Sequence, residues 1–311
     1  MPAKKKVSKQ KKVSKPGILS SGWIPTGIIK GESNEYYHSV DNRISSTMLK
    51  TALKDPQEFV GKYILKDITM KSDSTAFKLG NVFEQLLENE PIKYPDIYCV
   101  APKVDKRTKA GKEEFASFSS QVGDRYILTH EEDKLMADML DGAFSNEYFS
   151  SIMENCKPEF QTVFRYKSGP YYLQCRNDIL IEECISIPEL GINQGDRVVL
   201  DIKTSKDSLE WAKKNIIDYR YDIQDAFYRQ VMAKCGHPPK HFLFAFAPKV
   251  YPYKMQLVKV PEYIIEMAKS QVISALNNIT SWYAGRLPQV DKAVELDFTD
   301  YELKKMGLVE G

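Results

Sequence analysis

A few ionisable side chains stand where secondary structure would gather them into one site. In "RVVLDIKTSKD", residues 197 to 207, Asp201 and Lys203 lie two positions apart behind a short apolar run. Side chains alternate along a strand, so this pair shares one face while Ile202 turns to the other and joins the core. Asp178 in "CRNDILI" interrupts a second apolar run in the same way, and two adjacent strands would bring both carboxylates together. Such oxygens suit Mg²⁺ or Mn²⁺, hard ions that take carboxylates, a backbone carbonyl and substrate phosphate. A metal held there lowers the pKa of its water and stabilises charge during in-line attack on a phosphodiester, while Lys203 orients the nucleophile or neutralises that charge. The competing reading is the polar end of an ordinary strand, because short motifs have a real false-positive rate.

Two further features bear on that choice. Gln224 and Tyr228 in "YDIQDAFYRQ" are four apart and therefore stack on one helix face directly after the strand. An amide, a hydroxyl and a π face together suit a nucleic-acid phosphate or a terminal base. Glu84 in "LGNVFEQLL" breaks an apolar helical stretch just after a glycine; it is either a site acid or an ordinary solvated glutamate. The four histidines (His38, His130, His237 and His241) have no metal-binding spacing and receive no chemistry.

The elements that must position these groups follow from periodicity and breakers. Helices are predicted over 45 to 64, interrupted by a proline, and over 74 to 91, stopped by Pro91. A charged loop over 101 to 118 leads into a helical stretch ending near 148. Residues 158 to 183 alternate as paired strands around "KSGP", and "RVVLDIKT" reads as a buried strand. Helices over "SLEWAKKNI" and 222 to 236, strands over "HFLFAFAP" and 253 to 261, and a long closing helix complete the pattern. This is an α/β arrangement in one domain, with 186 to 196 as a long hairpin loop.

Bulk properties narrow the function classes. A chain of 311 residues with 42% hydrophobic content can bury a full core. It has no apolar run long enough to span a membrane and no signal-peptide core, so a cytoplasmic protein is expected. Five cysteines without a CxxC pair suggest neither a disulfide framework nor a zinc site. Residues 4 to 15 hold seven lysines and no acid; setting them aside turns the net charge of +2 into −5 for the rest. Polyanion binding by the folded part must then use a local patch, while the lysine run adds salt-sensitive attraction or only solubility. The organisation expected is a basic disordered tail over 1 to 35, one folded domain over 36 to 295 and a C-terminal tail over 296 to 311.

The ordered set "GNVFE", "APKVDKRTKAGKEE", "CRNDIL", "VVLDIKTS" and "DYRYDIQDAFY" resembles the nuclease domain of exodeoxyribonuclease VIII and its phage relatives, in the PD-(D/E)XK superfamily that includes lambda exonuclease. The resemblance spans roughly residues 36 to 290. It implies a restriction-endonuclease-like core, a central mixed sheet flanked by helices with an N-terminal helical region. It implies Asp178, Asp201 and the Ile202 carbonyl as metal ligands, Lys203 as the catalytic lysine, and Gln224 with Tyr228 as the QxxxY pair. Glu84 falls where relatives carry His or Glu as a ligand, Asn177 replaces the proline of the motif's name, and Glu159 stands as a supporting acid. The implied activity is Mg²⁺-dependent digestion of linear duplex DNA from its 5′ ends, leaving 3′ overhangs for a phage single-strand annealing protein. Members form trimeric or tetrameric rings that thread DNA, and Lys103, Lys106, Arg107 and Lys109 are candidates to line such a channel. Rival readings are a CRISPR-associated relative, whose clustered iron–sulfur cysteines this sequence lacks, a restriction endonuclease, and a non-catalytic DNA-binding recombination scaffold.

Overall fold

The computed structural model describes residues 24–68, 75–206 and 212–289. Ahead of the main hairpin lie β1 (Gly27–Ile29), α1 (Asn34–Ser39), β2 (Arg43–Ile44), α2 (Ser46–Lys54), α3 (Pro56–Phe59) and α4 (Thr75–Glu88). These are followed by α5 (Tyr94–Ile97), β3 (Tyr98–Val100), α6 (Lys109–Gln121), β4 (Tyr126–Leu128), α7 (His130–Phe144) and α8 (Glu147–Asn155). The central part comprises β5 (Pro158–Ser168), β6 (Tyr171–Ile181), β7 (Val198–Ser205), α9 (Ala212–Asp218) and α10 (Tyr221–Lys234). The chain then adds β8 (His241–Pro248), β9 (Gln256–Val258) and α11 (Glu262–Tyr283).

One mixed sheet runs in the order β1-β5-β6-β7-β8-β9, with β2 alongside β6. β5 and β6 form a long antiparallel hairpin whose turn uses Gly169 at φ +60. β7 joins β6 antiparallel and β8 parallel, and a parallel neighbour needs a crossover, which α9 and α10 supply. The continuous apolar run in β8 is buried along its whole length, because both faces of the sheet are covered. Phe242, Phe244 and Phe246 pack with α2, α10 and α11 on one side; Leu243, Ala245 and Ala247 pack with α4, α7 and α8 on the other. This central mixed sheet between helical layers is the expected α/β architecture. Among the described residues no helix is long and apolar enough to cross a membrane.

Two expectations need correction. The charged stretch over 101 to 118 is not all loop: Thr108 accepts from Gly111 N–H as a helix cap, and α6 begins at Lys109. The reading missed a Thr cap hidden among charges. The tail expected over 1 to 35 also ends earlier, because Gly27–Ile29 pairs antiparallel with β5. Residues 1–23 and 296–311, the remainder of the two expected tails, lie outside the described residues.

A buried ion pair anchors that edge. Arg165 on β5 is fully buried and forks onto Glu32 at 2.9 and 2.5 Å, while its Nε donates to Gln174 at 2.8 Å. Removing one member of a buried pair strands the other's charge. Glu32→Ala is therefore expected to lower unfolding free energy by about 3–5 kcal/mol in urea denaturation; a loss below about 1 kcal/mol, the worth of a surface pair, would contradict this.

Candidate active site

The site forms where β6 and β7 part. Their ladder ends at Ile179↔Leu200, and the next register step would set Asp178 opposite Asp201. β7 stays paired with β8 through Ser205, so its other edge is left open beyond Leu200. The Asp178 carboxylate fills the gap, Oδ2 accepting the Ile202 N–H at 2.8 Å. A strand residue's N–H and C=O share one edge, so the Ile202 carbonyl faces the same opening.

Asp178 also stands where the hairpin changes faces. Leu173 and Cys175 pack toward α10, and Asn177 reaches Met232 Sδ at 3.4 Å, yet Ile179 and Ile181 belong to the opposite core. Opposite this break, Gln161 takes φ +52, and the register skips the pairing of Gln161 with Asp178. Simple alternation misses such an irregularity, which re-aims a side chain.

Asp201 is 2% exposed. Its Oδ1 accepts from Gln224 Nε2 at 2.7 Å, and its Oδ2 contacts the Lys203 ammonium with no aligned hydrogen-bond donor. Lys203 Nζ lies 5.0 Å from the Tyr221 ring centroid and 6.0 Å from that of Phe244. Burial pushes the Lys203 ammonium toward its neutral form, but Asp201 and Asp178 outweigh this and raise its pKa. The carboxylates bear the opposite stress. Burial, then Glu84 and Asp201, hold Asp178 well above the usual carboxylate range, against Lys203 and the Ile202 N–H. Glu84 is pushed up to about 7 by burial, with Asp201 and Glu88 adding and Lys203 and Arg176 opposing.

Five of the expected residues thus meet: Asp178, Asp201, Lys203, Gln224 and, through its charge interactions, Glu84. Tyr228 lies nearby but inside the core against Phe227 and Phe242; burial raises its phenol pKa, and Asp201 and Asp178 add to the rise. Tyr221, two turns earlier on α10, holds the place beside Lys203. Glu159 instead pairs with Lys30 at 2.6 Å. Lys103, Arg107 and Lys109 are exposed near the start of α6; Arg107 is forked onto Asp105, and Lys106 covers the Phe115 ring at 3.3 Å. Sequence reasoning missed Lys50, whose helix lies far away in the chain, and Arg176, two residues before Asp178. Arg176 lines a cleft of about 330 Å³ together with Asn34, Asn81, Glu84 and Gln161.

The donor set is hard oxygen, suited to Mg²⁺ or Mn²⁺. Among the described residues, no three His, Cys, Asp or Glu side chains converge tightly enough to form an ion cage as they stand. Asp178 is engaged by Ile202 and Asp201 by Gln224 and Lys203. The crowded acids with raised pKa and the buried Asp201 Oδ2 nevertheless fit a divalent cation, which would relieve both.

No family model matches the sequence, and no curated protein matches it. Among solved structures, a "Putative exonuclease" from Eubacterium rectale aligns with 88% of this chain and 97% of its own, at 16% identity and a TM-score of 0.54. The two share a fold. A phage related exonuclease from Haemophilus somnus 129PT aligns with 80% of this chain and 98% of its own at 12% identity, with a TM-score of 0.30. This chain therefore has the mixed α/β fold of the Eubacterium rectale structure, a central mixed sheet flanked by helices, which is consistent with a restriction-endonuclease-like core.

The crowding has a pH signature. Glu84 rises from an ordinary 4.5 to about 7, so the folded state holds its proton longer than the unfolded chain. Its stabilising share is complete below pH 4.5 and lost as pH climbs through about 7. In chelator, urea denaturation should show stability falling across that window, and Glu84→Gln should flatten the fall; an equally steep profile in the variant would contradict the assignment.

Proposed function

We propose that this chain is a Mg²⁺-dependent exonuclease, with Mn²⁺ as a substitute, that digests linear double-stranded DNA from its 5′ ends and leaves 3′ overhangs. The observation that carries the reading is the meeting of Asp178, Asp201 and Lys203 at the open end of β6 and β7, with Gln224 on Asp201. Glu84, Asp178, Asp201 and the Ile202 carbonyl would hold the ion. When bound, it supplies a water of lowered pKa and a charge that grips a phosphate oxygen.

The chain's own residues do the rest. Gln224 fixes the Asp201 carboxylate by its 2.7 Å bond, so one orientation is set before substrate arrives. Lys203, kept protonated by its acid neighbours, places a cation where negative charge grows on the phosphorus oxygens. Ile202 anchors Asp178 through its N–H, and the hydrophobic core beneath β7 keeps both carboxylates rigid.

Direction, overhang product, a single-strand annealing partner in phage DNA recombination and a trimeric or tetrameric ring belong to the same proposal; their support is the ordered motif set that resembles exodeoxyribonuclease VIII. A ring would supply processivity without base readout, which fits a body whose charge, lysine run aside, is mildly negative.

Linear duplex labelled at its 5′ ends and incubated with Mg²⁺ tests the proposal. The 5′ label should be released first, chelation should stop release, and Lys203→Ala should slow it about 10²- to 10³-fold while DNA is still bound. Binding without any release would favour a non-catalytic recombination scaffold, and full activity in Lys203→Ala would remove the lysine from the chemistry.

A further inference from the structure

Lys50 projects from α2 into the site from a helix that no motif marks. Its Nζ donates to Gln224 Oε1 at 3.3 Å and lies 5.1 Å from the Tyr221 ring centroid, the same ring that Lys203 approaches at 5.0 Å. Gln224 is thereby held at both ends of its amide, by Lys50 on oxygen and by Asp201 on nitrogen. α2 cannot easily withdraw the lysine, because Met48, Leu49 and Ala52 are buried in the core shared with α10 and α11.

The charge balance at this point is incomplete. The acids that attract Lys50 are Asp201 and Asp222, and both are already engaged: Asp201 by Lys203, and Asp222 by Arg220 at 2.9 Å. Among the described residues the two ammonium groups share one aromatic ring, and the carboxylate in contact with either of them is that of Asp201. Burial pushes Lys50 down to about 7, with Lys203 and Arg220 adding to that push and Asp201 and Asp222 resisting it. A desolvated lysine in this position is costly to the apo fold, and an amine serving only as a donor to Gln224 has no need of charge.

We propose that Lys50 is a substrate-binding residue whose ammonium, together with that of Lys203, cradles a DNA backbone phosphate beside the acidic cluster. The assignment rests on the nuclease reading given above. A phosphodiester brings negative charge to Lys50, whose two attracting acids are already paired with other cations, and a charge-assisted hydrogen bond from a partly dehydrated ammonium is stronger than one from a surface lysine. Such a contact positions the backbone and carries no sequence preference.

The experiment compares wild type, Lys50→Met and Lys50→Arg in steady-state digestion of linear duplex with Mg²⁺ over a range of salt, together with thermal denaturation in chelator. Lys50→Met is expected to raise KM about tenfold, more than it lowers kcat. It should also flatten the dependence of log KM on log salt by about 0.9, the share of one phosphate contact. Its melting temperature should match or exceed wild type, since a buried unbalanced charge is gone, and Lys50→Arg should recover most of the affinity. Lys50→Gln serves as a second neutral variant if the Met protein folds poorly. Unchanged KM and salt slope in the neutral variants, with wild type digesting normally, overturns the role of Lys50 and leaves the nuclease reading standing. A fall in kcat alone overturns it as well, by confining Lys50 to positioning Gln224. Failure of wild type to digest or bind duplex overturns the nuclease reading and this inference with it.

Discussion

Negative charge taken out of water must be answered by protons, by hydrogen-bond donors or by cations. At the open end of β6 and β7 the protein gathers three acids, in which burial and neighbouring carboxylates raise the pKa of Asp178 and Glu84, and it answers them only in part. Asp178 receives one backbone N–H, Asp201 receives an amide and a lysine, and Glu84 is left to hold a proton near neutrality. A core built for stability alone would replace such a cluster with apolar side chains. The surrounding architecture makes sense as the means of holding this unbalanced cluster in place: a sheet buried on both faces, a strand edge left unpaired, and two helices bringing a glutamine and a glutamate to it.

The lysines give the arrangement its polarity. Lys203 sits against Asp201 and two aromatic rings, where it stays protonated, while Lys50 reaches the same Tyr221 ring and the Gln224 amide with its neighbouring acids already engaged. Acids and amines thus form two adjacent zones, one suited to a divalent cation and the other to the anion such a cation would activate. The deviation of Gln161 into positive φ opposite Asp178 shows the backbone departing from a regular hairpin at the one residue whose carboxylate must leave the alternation.

Much of this was legible from residue order because it depends on local periodicity. The hairpin over 158 to 183, the β7 strand, and the helix bearing Gln224 all lie where their patterns put them, and Asp201 with Lys203 share a face because strands alternate. Asp178 does lie level with Asp201, but alternation alone leaves out the break in the hairpin on which its placement depends. Tyr228 carried the expected spacing but points into the core, and its neighbour Tyr221 faces the lysines instead. Lys50 and Arg176 were invisible because their importance arises from tertiary contacts, and nothing in their own segments signals it. The α6 helix was hidden by its charges, and the β1 edge strand by brevity, three residues whose pairing depends on β5.

Crystals of the protein grown with saturating Mn²⁺ and measured for anomalous scattering test the central claim most directly. The account predicts a strong peak at the parting of β6 and β7, touching the carboxylates of Asp178 and Asp201 and vanishing in Asp201→Asn. A fully loaded crystal with no peak there, or with manganese only at surface carboxylates elsewhere, would contradict it.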